Sequence, residues 1–500
     1  MKKDIQINFD KTAIVASLCY VTLPIIIFLF GWTAVWVALI GTVILCLLAV
    51  GLYRSIEFNE EFLALSSKWK FWVPVFILVI IWTALSGIGG YSYQNDDFWA
   101  RNPIYRDLST YSWPVYYDLS KEPDFVQEMC GNSTVAFSYY FTWWLPASLI
   151  SKLFGLEETF RNYVLLVWSV IGLFLCAYLI CRRIRKTSWG IIAVFIGFSG
   201  LDAIPYLFSV NNPSKFIWIY HIEWWADLFQ YSSNTTQLFW VFNQSIPIWI
   251  LIGLLLQLKN NKYLGGLVAL SFAYSPWATL GMVPYAIAGS LKKKNEIKSN
   301  LNPVNILSAL FMMVVFGLFY GSSTGSSGFY GTIFGYYPER IAEILFKYVL
   351  FIVFEFGIYY LLLGKSASKK EYIIVTLAEL FIIPLIYIID TDFVMRSTIM
   401  PLFMTMIYIL EFIYGKSDEK ALKIRKKILI AALCIGALTP LAEINRSVLV
   451  TYNYGVVTNE KVGSLGYFNE NIPIYIQWTR DQYFVYDYED SAFYRFIGKH

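Results

Sequence analysis

Asp96 and Asp97 stand side by side a few residues past an apolar run, flanked by Trp99, Arg101 and Tyr105. A carboxylate in that setting can take the proton from a hydroxyl. Partial burial and a neighbouring like charge both raise its pKa toward a working value. Adjacent residues of an extended loop point to opposite sides. One of the two is therefore expected to act as base, while the other orients a partner or a metal ion. A bare acidic pair elsewhere would simply be two solvated loop acids, and it is the position at a helix end that singles this one out.

Two further groups carry chemistry. In TDFVMRSTIMPL (391–402), Asp392 and Arg396 fall where a loop enters an apolar run. A guanidinium there can grip a phosphate through paired hydrogen bonds; the plainer role is an arginine snorkelling to headgroups. In HIEWWADLFQYSSNTTQLFWVFNQS (221–245), His221, Glu223 and Asp227 have spacing suited to one helical face. Trp224, Trp225, Gln230, Asn234, Gln237, Asn243 and Gln244 are residues that stack on sugars and bond their hydroxyls, or else form an aromatic interface belt. The glycine-rich stretch 321–331 lacks the Gly-Lys-Ser ending of a phosphate loop. Asn132, Asn234, Asn243 and Asn445 open Asn-x-Ser/Thr sequons, which matter only in a glycosylating host.

The elements that must position these residues are membrane helices. The 500 residues are 57% hydrophobic, 19% aromatic and 15% charged, with mean hydropathy +0.53. A soluble domain carries about 25% charged residues, and a bilayer core needs about 20 apolar residues per helix. The expected fold is an all-α polytopic membrane protein with about thirteen crossings near 12–31, 33–53, 71–89, 161–181, 190–210, 245–258, 263–275, 277–291, 303–320, 341–363, 372–390, 397–414 and 428–441. Lys2, Lys3 and Lys11, Arg54, Lys68 and Lys70, Arg182 to Lys186, Lys259 and Lys262, Lys292 to Lys298, Lys365 to Lys370, and Lys416 to Lys427 mark cytoplasmic loops. Parity then splits 263–291 at Ser275-Pro276 and makes 138–155 an interfacial helix rather than a crossing.

That topology puts the N-terminus inside and gathers the chemistry outside. The expected segments are 1–89 with three crossings, 90–160 as the first outer loop, 161–441 as the bundle with outer loops 211–244, 321–340 and 391–396, and 442–500 as an outer tail. No cleavable signal peptide is expected, because the first apolar stretch is too long for one. Of the six cysteines only Cys130 falls in a polar loop, and no disulfide or metal spacing is present. A net charge of +4 gives no reason to expect a nucleic-acid partner.

A membrane helix, then an outer loop opening with Asp96-Asp97, then aromatic interfacial helices ending Leu153-Phe154-Gly155, then Arg161 opening the next helix: this order over residues 85–185 resembles the GT-C superfamily of polyprenyl-phosphate-sugar-dependent glycosyltransferases, which includes protein O-mannosyltransferases. Two crossings more than is usual there precede the acidic loop. The stretch around Asp392 and Arg396 is similar to ones in bacterial GT-C-like membrane proteins. The resemblance implies Asp97 or Asp96 as the catalytic acid pair, with Arg396 and Arg161 on the donor phosphate. His221, Glu223, Trp224, Asp227, Asn243, Gln244 and Asp392 would then contact the substrates. A divalent cation, Mg2+ or Mn2+, held by Asp97 and Glu223 is the candidate cofactor. The expected partners are a lipid-linked sugar donor, a glycan, lipid or protein acceptor, and membrane lipids, at a bacterial plasma membrane. Glu355, Glu379 and Asp202 within or near crossings support the alternative of a lipid-linked-glycan flippase or proton-coupled solute transporter.

Overall fold

A computed structural model describes residues 8–120, 122, 134–209, 221–291, 298–323, 330–388, 392–416, 419–456, 463–466 and 482–499. Cys130, the Asn132 sequon, Lys292–Lys294 and most of the glycine-rich stretch lie outside them. In chain order the main helices are α1 (Phe9–Trp32), α2 (Val35–Ser55), α3 (Glu60–Ser66), α4 (Trp69–Leu85), α5 (Phe98–Thr110), α6 (Leu145–Leu153), α7 (Glu158–Ile184), α8 (Trp189–Gly197), α9 (Ala203–Ser209) and α10 (Asn234–Leu255). There follow α11 (Leu264–Ala269), α12 (Pro276–Leu291), α13 (Pro303–Gly321), α14 (Ile341–Ile352), α15 (Ile373–Ile382), α16 (Asp392–Ser397), α17 (Ile399–Tyr414), α18 (Lys420–Gly436) and α19 (Leu438–Tyr454).

Among the described residues six helices are long and apolar enough to cross a membrane: α1, α2, α7, α10, α13 and the α18–α19 stretch. The pair α3 and α4, bent by 58°, makes a seventh if taken as one span. Side chains such as Trp36, Leu39, Val43 and Leu47 on α2 stay exposed, as a lipid-facing surface requires. These lengths and surfaces are those of a multi-pass helical membrane protein.

Every apolar run of the sequence carries helix, yet several are broken. The run 190–210 stops at Gly197 and resumes at Ala203. Gly200 between them packs so closely on Glu355 that a Cβ would fall 2.1 Å from Oε2. The unwound backbone finds partners elsewhere, with Leu201 N–H donating to Phe354 O at 2.9 Å, as backbone at membrane depth must. The run 372–390 ends in a short strand, Ile386–Ile388, paired with Tyr330–Thr332. The loop expected over 211–244 is shorter than its polarity implied. Ser233 caps α10 by accepting from Thr236 N–H at 3.0 Å, so Asn243 and Gln244 lie inside a buried helix. Within 138–155, Trp143 and Trp144 are fully buried, while Leu153 and Phe154 are exposed. The Trp143 indole donates to Tyr20 at 3.0 Å, and Tyr20 stacks on Trp168 at 3.9 Å.

Two polar clamps organise the bundle. At one end Arg182 donates to Asp10 at 2.8 Å and to Gln257 at 2.7 Å, and lies 3.8 Å over the Phe62 ring. That cluster ties α1, α3, α7 and the end of α10 together. At the other end a three-stranded antiparallel sheet orders Tyr116–Asp118, Thr134–Phe137 and Phe484–Val485. Beneath it, buried Asp107 of α5 accepts from Tyr117 at 3.0 Å, Ser464 at 2.9 Å and Leu465 N–H at 2.8 Å. The chain's last described segments therefore hold α5, the helix that Asp97 precedes.

Candidate functional site

Asn95, Asp96 and Asp97 form the turn that enters α5. Buried Asn95 fixes it: its amide donates to Phe239 O in α10 at 2.9 Å, while its Oδ1 accepts from Asp97 N–H at 3.1 Å. Behind the turn, Tyr93 N–H donates to Thr451 at 2.8 Å and Ser447 to Leu85 O at 2.6 Å. Glu443, Ser447 and Thr451 follow one another at intervals of four on α19 and so share a face. Asp96 ends exposed. Asp97 turns inward and pairs with Arg101 one helical turn on.

Asp97 lines a cavity of about 440 Å3 together with His221, Trp224, Asp227, Trp240, Asp392 and Arg396. Its side chain keeps 41% of its surface open, though protein surrounds it, because that surface faces the cavity. Burial pushes its carboxyl above the ordinary value; Arg101 opposes this, Asp392 adds to it, Arg396 opposes it and Asp96 adds to it. Arg101 is itself buried, 5.2 Å from the Phe242 ring.

Arg396 is presented by α16, which packs so tightly on α12 that a Cβ on Gly281 would meet Ser397 O at 1.9 Å. Its guanidinium pairs with Asp392 at 2.7 Å, and its Nε is buried without a partner among the described residues. Arg101 Nη1 and Arg446 Nε are likewise buried and unpartnered among the described residues. A buried donor left open costs about 1–3 kcal/mol, so the Nε of Arg396, the one of these three arginines that lines the cavity, favours an acceptor there.

The opposite wall is a buried ion chain. His221 Nδ1 lies 2.7 Å from Glu443 and Nε2 lies 3.4 Å from Glu223. Burial works to lower the His221 pKa, but Glu443 and Glu223 outweigh it and push it up to about 9. The two carboxylates therefore favour the protonated imidazole. Glu443 also holds Arg446. Neither Glu443 nor Arg446 was expected here, since both were read into an outer tail. The signal was present as their i, i+3 spacing and the polar stripe through Thr451. Trp240, 5.6 Å from His221, was missed with them.

The other expected residues divide. Asp227 lines the cavity but leaves the His221 face, because its backbone is left-handed (φ 60°). It faces Arg340 and Lys347, each at 3.0 Å. Burial would raise its pKa, and those two cations outweigh that and hold it below the ordinary value. Trp224 is exposed at the rim, while Glu223 is buried behind the wall. Arg161 does not line the cavity; its carbonyl accepts from Tyr105 at 2.7 Å. Asn243 and Gln244 are in the core of α10, Gln244 accepting from Ser275 at 2.8 Å.

Of the two carboxylates expected to hold a cation, Glu223 is already engaged by protein donors. Glu223 accepts from Ser233 N–H at 2.8 Å, Thr236 at 2.6 Å and Gln230 at 3.1 Å, which occupies both oxygens. Asp97 and Asp392 are each neutralised by an arginine. Among the described residues no three His, Cys, Asp or Glu side chains gather as metal ligands. No family model, curated protein or solved structure matches this chain.

Proposed function

We propose that this chain is a membrane glycosyltransferase that moves a sugar from a polyprenyl-phosphate donor to an acceptor hydroxyl at the non-cytoplasmic face. The proposal includes thirteen crossings, an inside N-terminus and a bacterial plasma membrane. One observation carries it: a raised carboxylate, Asp97, shares a cavity with an arginine, Arg396, whose Nε has no partner among the described residues. Asp97 takes the acceptor proton as the hydroxyl oxygen attacks the anomeric carbon. The polyprenyl phosphate departs from the opposite face of that carbon, with inversion, and Arg396 neutralises the charge that develops on it. His221, whose protonated form Glu443 and Glu223 favour, adds a second positive charge to the wall. Trp224 and Trp240 supply the faces on which a sugar ring can stack.

The test is reconstitution in proteoliposomes with a panel of labelled polyprenyl-phosphate sugars. Transfer from at least one donor is expected. Arg396→Gln should raise donor KM about tenfold or more, as loss of a charge-assisted bond implies. If no donor is consumed, the assignment fails. Arg101→Gln removes the main influence lowering the Asp97 pKa. The acid limb of the pH–rate profile should then move to higher pH, and an unmoved limb would show that Asp97 is not the group titrating.

A flippase or proton-coupled transporter is the second reading, favoured by Glu379. Both its oxygens are buried in α15 without a hydrogen-bond partner among the described residues, and a carboxylate buried among membrane helices is a candidate proton carrier. Proton uptake coupled to solute in sealed liposomes separates the two.

A further inference from the structure

Away from the cavity, α8, α17 and α18 leave an apolar groove of about 240 Å3 between them, lined by Gly190, Ala193, Leu410, Tyr414, Ile430 and Cys434 among others. Gly190, Ala193, Ile430 and Cys434 are exposed, so the groove opens sideways out of the bundle, toward lipid. A methylene fills roughly the volume of a water, about 30 Å3. The groove therefore accommodates on the order of eight methylenes, half of an acyl chain.

The end of the groove says what kind of chain. Tyr414 closes it, bonded to Ser188 at 2.7 Å, and Lys186 sits 4.9 Å from the Tyr414 ring. On α18, Lys423, Lys427, Ile430 and Cys434 recur at helical intervals, so the apolar wall runs straight into two lysines. Lys186, Lys423 and Lys427 are exposed, and none has a carboxylate partner among the described residues. More than 200 residues of sequence separate the two basic clusters, and the fold brings them to one mouth. A basic mouth on a lateral apolar groove between membrane helices suits an anionic lipid headgroup.

We propose that this groove is a binding site for an anionic phospholipid, with one acyl chain between α8, α17 and α18 and the phosphate at Lys186 and Lys427. The test is native mass spectrometry of the full chain released from mixed micelles holding equal dioleoyl-phosphatidylglycerol and dioleoyl-phosphatidylcholine. The wild type should retain one phosphatidylglycerol in preference. Lys186→Gln/Lys427→Gln should weaken that preference about thirtyfold, since each lysine near a headgroup contributes about a five- to sixfold factor. Cys434→Trp keeps the charges but fills the groove, and should lose the retained lipid. Equal thermal midpoints in phosphatidylcholine confirm that the variants fold. Equal retention of both lipids by the wild type, or an undiminished preference in the lysine pair variant, overturns the proposal. So does retention that survives Cys434→Trp, or a dimer of the chain that excludes lipid from the groove.

Discussion

Asp97→Asn should lower the turnover of sugar transfer about a thousandfold while leaving donor KM nearly unchanged. A positioned general base contributes about 10^2–10^4 in rate, and a loss confined to kcat marks an interaction made only in the transition state. The amide keeps the size of the side chain and its hydrogen bond from Arg101, but it cannot take a proton. Asp96→Asn, on the exposed neighbour, should alter the rate less than threefold, because its carboxylate faces away from the cavity. Arg101 is buried, and losing its carboxylate partner could unsettle the turn. Asp97→Asn/Arg101→Gln removes that complication: if both variants keep the parent's unfolding midpoint and both lose transfer, the loss is chemical. Full activity in Asp96→Asn and Asp97→Asn alike would remove the acidic pair from the mechanism.

The residues that converge on the cavity were readable where their position followed from a helix end. Asp97 and Asp392 each stand where an apolar run meets a polar segment, and basic-cluster parity puts those ends on one side. Trp143 and Trp144 look like an interface belt, yet they are fully enclosed, because the loops that cover them are themselves part of the fold. Glu443 and Arg446 were hidden by a boundary error. A run ending in polar residues was closed at 441, whereas the helix continues to Tyr454, its polar stripe satisfied by the 85–93 loop and His221. The small sheet was beyond reading altogether. Its third strand is two residues long and joins partners almost 350 residues away, and pairing at that distance leaves no local pattern.

The ion chain behind the cavity should make the protein lose stability between neutral and alkaline pH. His221 titrates at about 9 folded against an ordinary value of 6.5. Its raised pKa therefore contributes stability that is complete below pH 6.5 and is lost as pH rises through about 9. The gap corresponds to about 3 kcal/mol. Unfolding in mixed detergent micelles, followed from pH 6 to pH 10, should show that decline in the wild type and a flatter curve in His221→Gln. Glu443→Gln should be the more damaging change, costing about 3–5 kcal/mol at pH 7. It takes one carboxylate from between two cations, His221 at 2.7 Å and Arg446, and leaves both buried with less than their charge. In the double variant Glu443→Gln/His221→Gln the cost should fall well short of the sum, since each residue's charge is the other's reason for being tolerated. Additive costs, or a wild-type curve that stays level through pH 9, would mean that the imidazole is neutral and the wall carries no fixed cation.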